Sequence, residues 1–343
     1  MQTTIIAIFL RIDYLNILDY SYGMTTKSSP KKSALNIKIS PHIKAAFEAK
    51  RPTGWFVAII LVIISIIGFG YAGGELFKAL FGAAADGSAK AQLSEAFVFA
   101  ASILFIFLWV KFKEQRNFRT IGFLGKDGLK RYGIGFLIGI ALIVVPTLVL
   151  ILLGDYTQVE RAGATLGMSA LWIVIGLFFV WAIQSTSEEI IMRGFLLQST
   201  GRQLPAWFAV IIPSLLFAAL HIGADPIALL NIVLVALFFS FLSLGQGSIW
   251  MAAGIHTAWN MTQGSILGIP VSNIPKTVSI WAFGPTEGAP QWLTGGSFGI
   301  EASVAATVVL ASAMIWSYFY YRRNQDAWEM KKVKLSTTQQ ATK

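Results

Sequence analysis

Apolar residues dominate the chain in eight long runs, with polar residues gathered between them. The runs fall at about 54–73, 96–110, 133–153, 169–198, 206–221, 227–244, 249–267 and 300–321. Most approach the roughly 20 residues that a helix needs to cross a bilayer. Hydrocarbon offers the backbone no hydrogen-bond partner, so such runs are helical. The breaks carry helix-stopping residues: Gly201 to Pro205, Gly223 to Pro226, and Gly245-Gln-Gly247-Ser248. A Gly/Pro-rich loop fills 268–299. Gly135 and Gly139, four residues apart, mark a close helix–helix contact. The pattern predicts an all-α, polytopic membrane helix bundle of about eight transmembrane helices enclosing an intramembrane polar cavity.

Composition fixes the solvent. Of 343 residues 55% are hydrophobic and 13% charged, whereas a soluble domain is nearer a quarter charged. The absence of cysteine rules out disulfides and thiolate chemistry. The net charge of +10 does not point to nucleic acid, because the basic residues sit at the ends of apolar runs and face anionic lipid heads. Eight lie in 1–53, seven in 111–131, two in 193–202 and six in 322–343, which makes 23 of the 27. The positive-inside rule puts those segments in the cytoplasm, giving a multi-pass plasma (cell) membrane protein with both termini cytoplasmic. Residues 1–53 read as a basic N-terminal tail, of which 1–23 look like a start-site artefact and part of 41–50 like a short interfacial helix. Residues 54–321 form the membrane domain, with a catalytic core at 169–268, and 322–343 a polar tail.

One run carries an energetic problem. Glu188, Glu189 and Arg193 interrupt 169–198, and each ionised group in hydrocarbon costs about 2.5–3.5 kcal/mol on insertion scales. Glu189 and Arg193 are i, i+4, acid first, the favoured order for an ion pair. Glu188 is turned about 100° away and is left to face a reactant. Two more polar groups lie in neighbouring spans: His221 at the end of 206–221, and His256 with Asn260 one turn apart in 249–267. Counted from the cytoplasmic ends at 1.5 Å per residue, all four lie roughly 12–22 Å deep. A glutamate in an apolar site can take a proton from water, and His and Asn N–H groups can hold an oxyanion. His221, His256 and Glu188 also match the two-His-one-Glu set of catalytic Zn2+. Buried Glu and His serve ion translocation too, although no paired inverted repeat or matched broken helices accompany them here. Phe217 reads as a packing wall. Gly295-Gly-Ser-Phe-Gly299 has the spelling of a nucleophile elbow but lacks its preceding strand.

Three motifs stand in order: Glu188-Glu189-Ile-Ile-Met-Arg193, Phe217-Ala-Ala-Leu-His221 and His256-Thr-Ala-Trp-Asn260. Together they resemble the CPBP family, the CAAX proteases and bacteriocin-processing enzymes, which includes the type II CAAX prenyl endopeptidases. The resemblance covers about residues 110–320. It implies an eight-helix intramembrane endopeptidase in which Glu188 and His221 activate water, His256 and Asn260 hold the oxyanion, and Glu189 and Arg193 support them. Its partners would be membrane lipids and a peptide or protein substrate, a lipidated C-terminal tail among them. The alternative is a non-catalytic immunity or binding protein, or a carrier, that uses the same cavity.

Overall fold

The computed structural model describes residues 34–341. The expected leader at 1–23 and the next part of the basic tail, 24–33, lie outside the described residues. The apolar runs form α1 (Trp55–Phe81), α2 (Ala89–Lys113), α3 (Gly128–Leu153) and α4 (Leu171–Gln203). The shorter α5 (Ala206–Ala219) follows, then α6 (Pro226–Gln246). Next comes α7, which is Trp250–Met261 extended by a π-helical turn at Thr262–Ile266, and the chain closes with α8 (Val304–Ala341). Six of these, all but α5 and α7, are long and apolar enough to cross a membrane. At 14 residues α5 spans about 21 Å, short of a bilayer's hydrocarbon thickness. The two short helices are those that deliver the histidine motifs.

Local chemistry sets the boundaries. Asp225 caps α6, its Oδ1 accepting from the N–H groups of Ile227 and Ala228 at 2.9 and 2.8 Å, with Pro226 in the first turn. Gly247, at φ 69°, ends α6 in the left-handed conformation and turns the chain into α7. Three changes from the expected limits are notable. The 111–131 loop is shortened from both sides by α2 and α3, α1 runs past Gly73 to Phe81, and the last helix does not stop at Arg322-Arg323.

α3 packs along α7 at backbone contact. A methyl group at Gly135 would strike the Met251 carbonyl, one at Gly139 the Ile255 carbonyl, and one at Gly254 the Tyr132 carbonyl. The expected small-residue contact is therefore real, and α7 answers it with its own glycine. At the other end, the 154–168 and 268–299 loops pair. β1 (Tyr156–Gln158) lies antiparallel to β4 (Phe283–Pro285), and β2 (Thr165–Leu166) parallel to β3 (Val278–Ser279). Lys276, in the second loop, is buried against Glu95 of α2 at 3.7 Å and over the Trp181 ring of α4 at 4.8 Å.

Within 34–54, the stretch before α1 packs against the bundle rather than lying wholly in solvent as its charge implies. Short helical turns at Ile37–Ile39, Pro41–Lys44 and Ala45–Glu48 sink Ile37 and Ile43 between Leu197 of α4, Phe241 of α6 and Tyr321 of α8. The lysines that follow them, Lys38 and Lys44, stay exposed, so alternation of Ile and Lys is the local reason. His42 is fully buried there. Its Nε2 donates to the Arg193 carbonyl at 2.8 Å, and its own carbonyl accepts from Gln198 Nε2 at 2.9 Å. Arg116 donates to Gln198 Oε1 and to Glu114 Oε2, each at 2.7 Å, completing the network.

Burial lowers the His42 pKa to about 4, with the Arg193 carbonyl opposing and Arg116 adding. An unfolded histidine protonates below about 6.5. Between pH 4 and 6.5 the unfolded chain thus binds one proton more, and stability rises with pH through that window. The contribution is on the order of 3 kcal/mol. Thermal unfolding in detergent is predicted to shift to lower temperature as pH falls from 6.5 to 4. His42→Gln should flatten that dependence; an unchanged slope in the variant would assign the acid sensitivity to other groups.

Candidate active site

The regular α-helical part of α4 ends at Glu189, and the next turn, Ile190–Leu196, is π-helical. Such turns are rare and recur at functional sites. Every residue from Glu189 to Gly201 is buried, so the charges here have only each other. Arg193 Nη1 donates to Glu189 Oε1 at 3.0 Å, and His256 Nδ1 meets the same oxygen at 3.0 Å. The guanidinium lies over the rings of Phe217, 4.6 Å away, and Phe239, 5.4 Å away, which adds cation–π attraction. Phe217 is thus a wall with an electrostatic part: it also stands edge-on to His221 with ring centroids 4.8 Å apart.

These contacts set proton positions. An ionised carboxylate only accepts, so the Glu189 contact puts a proton on His256 Nδ1. Nε2 of the same ring lies 3.7 Å from Glu188 Oε2. Glu188 accepts from Gln184 Nε2 at 3.0 Å, and Gln184 Oε1 accepts in turn from Asn260 Nδ2 at 3.1 Å. His221 lies just beyond the last turn of α5 rather than within it, and its Nδ1 donates to the Phe217 carbonyl at 2.8 Å. A carbonyl cannot donate, so in the neutral ring the lone pair is on Nε2. That nitrogen has no hydrogen-bond partner among the described residues.

Glu188, His221, His256, Asn260 and Phe217 line one cavity, with about 60 Å³ of room for water centres inside about 550 Å³ of space open at its mouth. That is ample for several waters, each needing about 10–15 Å³ on this measure. Glu189 and Arg193 lie behind the wall. Four further polar groups line the cavity without having been singled out by the sequence: Gln184, Asn231, Ser272 and Glu301. Gln184 was detectable as the i−4 neighbour of Glu188. Glu301, in a 3-10 turn before α8, and Ser272, in the 268–299 loop, left no periodic signal. Glu301 Oε1 accepts from the Ser272 N–H at 2.6 Å and its hydroxyl at 3.0 Å. Burial pushes the Glu301 carboxyl above the usual carboxylate range, opposed first by the Ser272 N–H and then by His221.

Among the described residues no three His, Asp or Glu side chains converge closely enough to hold a metal ion. The expected donors His221, His256 and Glu188 share the cavity but are not assembled as a zinc site.

Residues 170–262 match the family described as type II CAAX prenyl endopeptidase Rce1-like. Every motif residue from Glu188 to Asn260 falls inside the matched stretch. Over 239 residues, 64% of this chain and 72% of the relative, the sequence is 25% identical to the uncharacterized protein YyaK of Bacillus subtilis (strain 168). No solved structure matches.

Removing one member of a buried ion pair costs about 3–5 kcal/mol, because the other charge is stranded. Glu189→Gln is therefore expected to lower thermal stability far more than Glu188→Gln, whose side chain faces the cavity. Differential scanning fluorimetry in detergent checks this. Equal losses in the two variants would contradict the division between an anchoring and a cavity-facing carboxylate.

Proposed function

We propose that the protein is an intramembrane endopeptidase in which water in this cavity attacks a peptide carbonyl. Glu188 takes one proton from the water as the oxygen bonds to the carbonyl carbon. The tetrahedral oxyanion is held by N–H donors, and the C–N bond breaks as the amine leaves with the proton returned by Glu188. His221 offers a second acceptor through its free Nε2. Asn260 can turn an N–H toward the oxyanion, since one of its two contacts, to Ser185 Oγ at 3.5 Å, is long. His256 serves as a donor there only when both ring nitrogens are protonated, and Glu189 stands in place to accept from Nδ1 in that form.

One observation carries the proposal: Glu188 lies on the wall of a cavity with room for several waters, without a Lys or Arg partner among the described residues, 3.7 Å from His256 Nε2 and in the same cavity as the free Nε2 of His221. The Rce1-like match supplies the class, CAAX-type proteolysis, and with it a peptide or protein substrate. A prenylated C-terminal tail and a peptide undergoing maturation are both within that class. Both termini lie on the cytoplasmic side in this account, as the charge bias requires.

The test is cleavage of a peptide library by the purified protein in liposomes, read by mass spectrometry. Wild type is expected to cut, and Glu188→Ala to lose roughly 10²–10⁴-fold in kcat/KM, the usual worth of a general base. Cleavage surviving in Glu188→Ala would sink the mechanism. Loss of turnover on chelation, restored by zinc, would move the water onto a metal held by His221, His256 and Glu188. A wild type that binds peptides without cutting them would favour a non-catalytic binding or immunity protein.

A further inference from the structure

The cavity has a second wall that hydrolysis does not use. Asn231, on α6, is 1% exposed. Its Nδ2 donates to the carbonyls of Glu301 and Ser303 at 2.8 and 3.0 Å. Carbonyls only accept, so the amide cannot be flipped, and Oδ1 is left as a buried acceptor without a donor. Beside it, Glu301 commits Oε1 to Ser272, while Oε2 makes no hydrogen bond among the described residues. Two acceptors that lack donors thus share this wall.

The rest of the cavity does not supply the missing donors. No lysine or arginine lines it. Arg193 is turned away onto Glu189, and Lys276 is paired with Glu95. Asn260 donates to Gln184, and Gln184 in turn donates to Glu188. Counting Glu188, the cavity holds two carboxylates and no fixed positive charge. Asn231 Oδ1 is buried and unsatisfied, which carries a penalty, while Glu301 Oε2 opens onto the cavity and is free to take a donor. An occupant that brings N–H donors and positive charge serves both.

We infer that Glu301, assisted by Asn231 Oδ1, is a specificity-determining residue that accepts a lysine or arginine side chain of the substrate next to the bond to be cut. The inference rests on peptide hydrolysis at the neighbouring Glu188. An ammonium is about the size of a water and fits the room available. A guanidinium offers the forked donors that a carboxylate and an adjacent amide oxygen match. Conversely, a substrate carboxylate held at this wall would meet acceptors only. Burial raises the Glu301 pKa against the pull of the Ser272 N–H and of His221 and His256, and a cationic occupant would oppose that rise.

The experiment compares two peptides that differ only in lysine against norleucine at one position near the scissile bond, scanned along the sequence. For wild type, one position should show at least roughly tenfold preference for lysine in kcat/KM, the size of one charge-assisted hydrogen bond. In Glu301→Gln that ratio should fall close to one, and Glu301→Asp should restore part of it. Binding is read separately, by thermal shift in Glu188→Gln, where lysine peptide should bind more tightly than norleucine peptide unless Glu301→Gln is added. Lysine-selective binding without any turnover by wild type would support the cation-accepting role of Glu301 and defeat the hydrolytic proposal. Equal ratios in wild type and Glu301→Gln, or a preference for an acidic residue, would overturn it. So would loss of turnover on both peptides in both Glu301 variants, which would make Glu301 part of the catalytic machinery instead.

Discussion

A single carboxylate oxygen, Glu189 Oε1, takes the Arg193 guanidinium from its own helix and His256 Nδ1 from α7, each at 3.0 Å. All three groups are nearly or wholly removed from solvent, in a bundle whose surroundings are hydrocarbon. Charge there is tolerated only when paired and hydrogen-bonded. The contact therefore fixes more than a pair of side chains. It sets the register of α4 against α7, assigns the proton on His256, and holds the guanidinium between Phe217 and Phe239. Because Glu189 absorbs the positive charge, Glu188 is free to face the cavity.

Other features keep that contact in place. The glycines on α3 and α7 let the two backbones touch, so α7 cannot slide without a clash. On the opposite side of α4, His42 holds the carbonyl of Arg193 itself, within the π-helical turn, and Gln198 ties the His42 carbonyl to the same helix. Across the bundle, the paired 154–168 and 268–299 loops bring Ser272 to the far wall of the cavity, where it meets Glu301. Helices α5 and α7 are short, and this shortness lets the chain break at depth and offer His221 from a turn. Irregular backbone is affordable in a membrane where it lines a polar cavity.

Much of this was legible in the residues. The eight apolar runs located α1 to α8, six of which are long and apolar enough to cross a membrane, since hydrophobic length is a direct signal. The i, i+4 spacing foretold the Glu189–Arg193 pair, and similar depths brought Glu188, His221, His256 and Asn260 together. What escaped depends on contacts between distant segments. Glu301 meets Ser272 across 29 residues through a loop without periodicity. His42 was hidden in a segment whose lysines read as a solvated tail, although its isoleucines face inward. The shared use of Glu189 by His256 joins residues 67 apart and no spacing rule reports it. The residues of the zinc-type set, His221, His256 and Glu188, do meet on the lining of one cavity.

The central claim is that water, activated by Glu188, attacks the peptide directly. Its most direct test is turnover of a cleaved peptide in H2(18)O, with intact-mass analysis of the protein during the first cycle. The new carboxylate should carry one heavy oxygen, and the protein mass should stay unchanged throughout. A peptidyl adduct on the protein, chased into product by water or hydroxylamine, would contradict the account, because it would make a side chain of the protein the nucleophile.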